Sequence, residues 1–209
     1  SGQIEADLDG IMPAAPQGIM LPKACGGRDV AHLSTKIAVR EAESDLPDGG
    51  TRIIAIGLET GRSFFQMATF DGASHRLAGL TWGAEDLAAD IGAAANRDAR
   101  GHFTSPFRLA REMALFAAAA AEVAAIDTVY VDFRDEAGLR AECEAARRDG
   151  FAGKLAIHPG QVAVINDVFT PAEAEVARAR AIIEAFAANP DAGVLSINGR
   201  MTDRPHLKQ

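Results

Sequence analysis

A set of polar residues stands just behind short apolar runs in this sequence: Lys23, Glu59, Glu85, Asp86, Asp132, Arg134 and His158. If those runs are parallel strands, these side chains gather at the carboxyl ends, where parallel α/β folds bind substrate. Glu59 and Asp86 form the most specific pair. They follow neighbouring runs, so two hard carboxylate oxygens converge over one point. That suits Mg²⁺, which takes one or two carboxylates and leaves positions for water and substrate. Each acid also has a plainer reading, Asp86 as a first-turn acid that favours a helix dipole and Glu59 as a strand-end partner for Arg62 or another cation. Glu85 competes with Asp86 for the same role, and spacing leaves the two undecided. His158, in Ile157-His-Pro159, is of the right type for proton transfer near neutral pH, or for a structural hydrogen bond at a strand end. Lys23 and Asp132 taken singly read as solvated or salt-bridged loop residues. No serine elbow, GxGxxG, GxxxxGK or HExxH pattern occurs, which counts against hydrolase, dinucleotide, nucleotide and zinc-protease chemistry.

The elements that must position these residues follow from the apolar pattern. Runs of strand length at 18–23, 52–58, 77–82, 127–132 and 154–157 read as buried parallel strands. Between them, helical patterns span 30–44, 63–70, 86–94, 107–125 and 136–148, and a further helix is predicted over 171–188 with Thr170 as cap and Pro171 at its first position. Gly, Asp and Pro at 46–50 and 149–150 mark the hand-over from helix to strand, and the polar stretch 96–106 reads as a long loop of the functional kind. Alternating βα units imply a parallel sheet in one domain over 1–209. Five strands do not close an eight-stranded barrel, and an open sheet leaves two unpaired edges. With Ser1 rather than methionine first and a polar 202–209 that could open another helix, the expectation is a fragment, or the ordered part of a longer polypeptide. The alternative is a doubly wound open sheet.

Composition narrows the partners. The chain has 209 residues, 48% of them hydrophobic, and a net charge of -8, which argues against nucleic acid or an anionic membrane as the main partner. Cys25 and Cys143 lie far apart with no CxxC or Cys/His cluster, so a disulfide framework or zinc site is not expected and a reducing cytoplasm is. The longest apolar stretch, 113–126, contains Glu122 and falls short of the roughly 20 residues a membrane span needs.

Several stretches together resemble the citrate lyase beta-subunit and malyl-CoA lyase family, also called the HpcH/HpaI aldolase family. They are Gly18-Ile-Met-Leu-Pro-Lys23, Ile53-Ile-Ala-Ile-Gly-Leu-Glu-Thr60, Gly79-Leu-Thr-Trp-Gly-Ala-Glu-Asp-Leu-Ala-Ala-Asp90, Lys154-Leu-Ala-Ile-His-Pro159 and Gly199-Arg-Met-Thr-Asp-Arg-Pro205. The resemblance implies a (β/α)8 TIM barrel lacking its first three strands here, with the five strands as the fourth to eighth. It implies Glu59 and Asp86 as Mg²⁺ ligands, with Glu59 also at the substrate. It implies Asp203 as a catalytic acid that reaches a neighbouring subunit's site, within a homotrimer or hexamer. The family's substrate-holding arginine falls in the N-terminal third, outside this chain. The implied activity is carbon–carbon lysis of a hydroxy-acyl-CoA such as malyl-CoA or citramalyl-CoA, or a thioesterase variant of it. An aldolase on free hydroxy-oxo acids and a non-catalytic barrel subunit are the competing expectations.

Overall fold

Residues 52–58, Arg-Ile-Ile-Ala-Ile-Gly-Leu, carry an apolar run too short and too β-branched for a helix, and they form the central-type strand the pattern predicts. The computed structural model describes residues 3–208. The chain divides into two compact units, Ser1–Ile165 and Asn166–Gln209.

In the first unit, α1 (Ile4–Ile11) and a 3₁₀ turn precede β1 (Gly18–Leu21), α2 (Gly27–Glu43), β2 (Arg52–Leu58), the single-turn α3 (Gly61–Phe64) and a second 3₁₀ turn at Met67–Phe70. Then come β3 (Leu77–Trp82), α4 (Ala84–Ile91), α5 (Ser105–Ala120), β4 (Ala124–Asp127), α6 (Glu136–Asp149), β5 (Gly153–Lys154) and α7 (Pro159–Phe169), the last of which runs past Ile165 into the second unit. All the pairings are parallel and the strand order is β1-β2-β3-β4-β5. A doubly wound sheet reverses its order at a switch point. This sheet has no reversal, so the doubly wound alternative falls away.

One face of the sheet packs on helices: Ile53, Ala55, Leu80 and Trp82 are buried, as are Leu33 and Ile37 of α2 and Phe107, Ala110 and Ala114 of α5. Each large apolar side chain so buried contributes about 1.5–3 kcal/mol. On the other face Ile54 and Ile126 meet over Gly79, where a Cβ would lie 3.2 Å from the Ile126 side chain. Both isoleucines are half-buried and Met20 is exposed.

Two ionic clusters tie the layers. Glu41 of α2 chelates the Arg76 guanidinium at 2.6 and 2.7 Å and accepts the backbone N–H groups of Thr51 and Gly49 at the amino end of the sheet. At the end of β4, fully buried Asp127 accepts Trp82 Nε1–H at 2.9 Å, Arg111 Nε–H at 3.2 Å and Lys154 Nζ at 3.5 Å. Arg111 and Lys154 are each shared with a second acid, Asp149 and Glu142, both at 2.7 Å.

Several predicted boundaries need correction. The fourth strand runs over 124–127, not 127–132. Its alanines read as a continuation of α5, but Glu122 adopts a left-handed backbone (φ 54°) that ends the helix and frees Ala124 for the ladder. The β-branched stretch from Thr128 lies outside the ladder. Likewise β1 and β5 stop at Leu21 and Lys154, short of the predicted 23 and 157. The predicted helix 63–70 is two short pieces, because Thr60 and Ser63 form a capping box that starts α3 at Gly61.

In the second unit α8 spans Glu173–Ala188, and β6 (Val194–Ile197) pairs antiparallel with β7 (Arg200–Asp203) before the one-turn α9 (Arg204–Lys208). The α8 start differs from the predicted Pro171 with a Thr170 cap. Glu175 reaches back to accept the Ala172 N–H at 2.8 Å, which sets the start two residues later. The hairpin and α7 carry no clear period in the sequence and are additions. No helix among the described residues is long and apolar enough to cross a membrane.

Candidate active site

The ends of β1, β2 and β3 meet at one place. β2 ends at Leu58, whose carbonyl accepts the Gly83 N–H at 3.0 Å, so the residues after β2 and β3 are held side by side. Glu59 therefore sits directly beside Gly83 and is 5% exposed. The fit requires glycine: a Cβ at 83 would lie 2.8 Å from Glu59 Cγ. From the β1 side, Lys23 donates its backbone N–H to Glu59 Oε2 at 2.5 Å, and its own backbone is left-handed (φ 53°), a conformation uncommon for a residue with a side chain.

Asp86 falls in the first turn of α4, which begins at Ala84 right after Gly83. Its carboxylate lies near enough to the Glu59 carboxyl to raise that group's pKa, and its Oδ1 takes the Lys23 ammonium at 3.2 Å. Glu85 points elsewhere and accepts Asn96 Nδ2–H at 2.6 Å from the loop beyond α4. Geometry thus separates two adjacent acids that sequence spacing left equivalent. Glu59 does not meet Arg62; the cation beside it is Lys23, and Asp86 is the acid it faces.

Burial pushes the Glu59 carboxyl above its usual range, and the neighbouring Asp86 charge adds to the rise against the Lys23 N–H. Lys23 is held above its ordinary value, first by its hydrogen bond to Asp86. Two carboxylates facing each other ask for a positive charge, and the cation paired with Asp86 is a surface lysine, whose side chain is 67% exposed. Among the described residues no group of three or more His, Cys, Asp or Glu gathers to hold a metal. A pair is what a hard divalent ion needs when water and substrate fill its other positions, so the donor set fits Mg²⁺ and not a closed structural site.

The remaining predicted residues go separate ways. His158 accepts the Gly160 N–H on Nδ1 at 3.0 Å and stacks on Phe133 with centroids 4.8 Å apart, which is the structural reading of a strand-end histidine. Asp132 accepts the Arg134 N–H at 3.1 Å in a local turn. Asp203 closes β7 in the second unit with its carboxylate against His206 Nδ1, while Arg204 donates to the Pro190 carbonyl at 2.6 Å. Its side-chain partner is therefore His206. Gly83 and the Lys23 backbone were missed as site-building groups; the one available signal for Gly83 was a glycine between a strand and a helix.

A sequential parallel α/β sheet with paired carboxylates over the ends of two adjacent strands defines a protein shaped to hold a polar small molecule there. The comparisons agree. Residues 1–159 match the family model described as HpcH/HpaI aldolase/citrate lyase, and the chain belongs to that family. It is 34% identical to the mitochondrial citramalyl-CoA lyase of Rattus norvegicus over 225 residues, covering all of this chain and 63% of that protein. It is also 34% identical to a (3S)-malyl-CoA thioesterase of Cereibacter sphaeroides over 209 residues, covering 97% of this chain and 65% of that one. The chain thus spans a little under two thirds of these relatives. A crystal structure of protein CitE from Mycobacterium tuberculosis, in complex with magnesium, acetoacetate and coenzyme A, superposes with a TM-score of 0.70 at 30% identity, over 97% of this chain and 69% of that one.

Proposed function

We propose that this chain carries the metal-binding half of a carbon–carbon lyase that cleaves a β-hydroxy acyl-CoA, of the malyl-CoA or citramalyl-CoA type, to acetyl-CoA and an oxo acid. The observation that carries it is the Glu59–Asp86 pair, held at the strand ends with Glu59 buried and its charge uncompensated except by Lys23. The relatives named above support the thioester class. In this reading the five strands are the fourth to eighth of a single (β/α)8 barrel over 1–209. Their unbroken order and the half-covered face at Ile54 and Ile126 are what a closing sheet would complete.

Glu59 and Asp86 would hold Mg²⁺, which supplies Lewis-acid polarisation of the substrate hydroxyl and its neighbouring carboxylate when bound. The chain's own residues do the rest. The Lys23 N–H fixes one oxygen of Glu59 and so holds the carboxyl in place at the strand ends. In cleavage the hydroxyl proton passes to solvent water, the C–O bond becomes a carbonyl, the C2–C3 bond breaks, and the electron pair passes to C2 as the enolate of acetyl-CoA. A proton must then reach C2, and we assign that delivery to Asp203, supplied to a neighbouring subunit's site in a homotrimer or hexamer.

The experiment is detection of acetyl-CoA released from malyl-CoA and citramalyl-CoA by mass spectrometry, with Mg²⁺ and with chelator. Release that needs Mg²⁺ and vanishes in Glu59→Ala supports the lyase. Free CoA and malate without acetyl-CoA would point to a thioesterase, and turnover of free hydroxy-oxo acids alone to an aldolase. An active monomer in analytical ultracentrifugation would remove the cross-subunit role of Asp203.

A further inference from the structure

Away from the carboxylate pair, the start of α2 and the short α3 enclose a cleft of about 650 Å³. Its lining includes Arg28, His32 and Arg62. Arg28 and His32 lie four residues apart on α2, hence on one face of the helix, and Arg62 comes from α3 opposite. Among the described residues none of these three side chains has an acidic partner. Asp29 is the one acid in the lining, and its Oδ2 is spent on the Cys25 N–H at 2.8 Å. Its charge offsets one guanidinium and leaves the cleft positive.

The two sides of the cleft are packed directly on each other: a Cβ at Gly27 would fall 1.9 Å from the Thr69 carbonyl and one at Gly26 2.8 Å from Thr69 Oγ1, so only glycines let the start of α2 lie against the 3₁₀ turn at Met67–Phe70. Gln66 and Thr69 add polar atoms at the wall.

We infer that this cleft binds a phosphorylated small molecule, with the Arg28 and Arg62 guanidinium groups on the phosphate oxygens and His32 donating beside them. Guanidinium groups match phosphate by paired N–H donors, and facing cations without partners are the usual arrangement for a dianion. The volume exceeds what inorganic phosphate fills and lies in the range of small-molecule sites, so the organic part of the ligand is held as well. The inference does not depend on the lyase reading, because none of its residues belongs to the carboxylate pair.

Two sources share this chemistry: a free phosphate ester or diphosphate, and the phosphate-bearing head of a CoA-type nucleotide. Isothermal titration in chelator with pyrophosphate and with adenosine 3′,5′-bisphosphate separates them. The parent protein is expected to bind at least one probe at a single site. The Arg28→Ala/Arg62→Ala double variant should bind it roughly tenfold more weakly or worse, since two charge-assisted contacts are lost. Arg108→Ala, an exposed arginine of α5 outside the cleft, should bind as the parent does. Both probes competing for the site assigns it to a nucleotide head group; pyrophosphate alone assigns it to a free phosphorylated metabolite. Unchanged affinity in the double variant with unchanged thermal unfolding overturns the inference, as does binding of neither probe by the parent. Normal pyrophosphate binding by Glu59→Gln would separate this site from the proposed metal site, so either can fail alone.

Discussion

Glu41 and Glu59 lie at opposite ends of the same sheet, both almost without solvent exposure, and their carboxyl groups are pushed in opposite directions. Burial alone would raise both. At the amino end Arg76 chelates Glu41 and two backbone N–H groups point at it, so its pKa falls below the ordinary value. At the carboxyl end Glu59 has one backbone N–H and faces a second acid, so its pKa rises. The first carboxylate is satisfied by the fold and stabilises it. The second is left short of positive charge, which costs stability and is the basis of its proposed role as a metal ligand. In parallel α/β proteins stability concentrates at the amino face and chemistry at the carboxyl face, and here the division shows in two residues of one type.

The largest expected effect tests the satisfied end. Glu41→Gln leaves the fully buried Arg76 guanidinium without its chelating charge, and breaking a buried pair in this way costs about 3–5 kcal/mol. Chemical denaturation should show that loss. A midpoint unchanged from the parent would mean that Asp48, also on Arg76 at 2.7 Å, suffices. Next is the unsatisfied end. Glu59→Gln removes one of two proposed ligands and should weaken Mn²⁺ binding, read by electron paramagnetic resonance, by more than the roughly tenfold typical of a lost supporting contact. The same variant should unfold in chelator no more readily than the parent at neutral pH, because it removes a disfavoured charge.

The two glutamates also set opposite pH slopes. Glu41, with a lowered folded pKa, contributes stability that is present above its unfolded pKa and lost as pH falls through the folded one. Glu59, with a raised folded pKa, binds a proton more readily folded than unfolded, so its contribution worsens as pH rises from the unfolded value through the folded one. Comparing unfolding midpoints of the parent, Glu41→Gln and Glu59→Gln from below the ordinary glutamate pKa, where the Glu41 contribution is lost, to above it, where the Glu59 contribution worsens, isolates the slopes. A difference of the same sign for both variants would contradict the contrast.

The sheet was legible because its strands are covered by helices on one face and read as plain apolar runs, as at 52–58 and 77–82. It became illegible where alanine serves helix and strand alike: nothing in 117–125 announces that Glu122 turns left-handed and hands the chain to β4. The acids at the strand ends were legible as candidates, because strand ends are few. Their environments were not, since Glu85 and Asp86 differ only in which neighbour α4 turns them toward. Phosphate-type binding in the α2–α3 cleft had no sequence signal at all, because Arg28 and Arg62 are brought together by packing across 34 positions of sequence.

A smaller effect is expected from Gly83→Ala. The added Cβ collides with the Glu59 side chain, which must shift, and overpacking of this kind costs about 1–3 kcal/mol. Mn²⁺ affinity should fall with it, since the collision displaces the proposed ligand and not merely the backbone. Stability lost with affinity intact would place the Glu59 side chain elsewhere in solution.

The smallest effect is on Lys23, and its direction is the sharpest test of how the carboxyl end works. The ammonium lies 3.2 Å from Asp86 with both side chains largely in solvent, so the pair is screened and adds little to stability. It nevertheless occupies the acid that a metal would use. Lys23→Gln keeps the backbone N–H on Glu59 and removes only the competing charge, so Mn²⁺ should bind a few-fold more tightly with unfolding almost unchanged. The gain should shrink at high salt, where the lysine is already screened. Weaker Mn²⁺ binding in Lys23→Gln would instead mean that the ammonium organises the two acids for the metal, and the deficit of positive charge at this end would no longer account for the site.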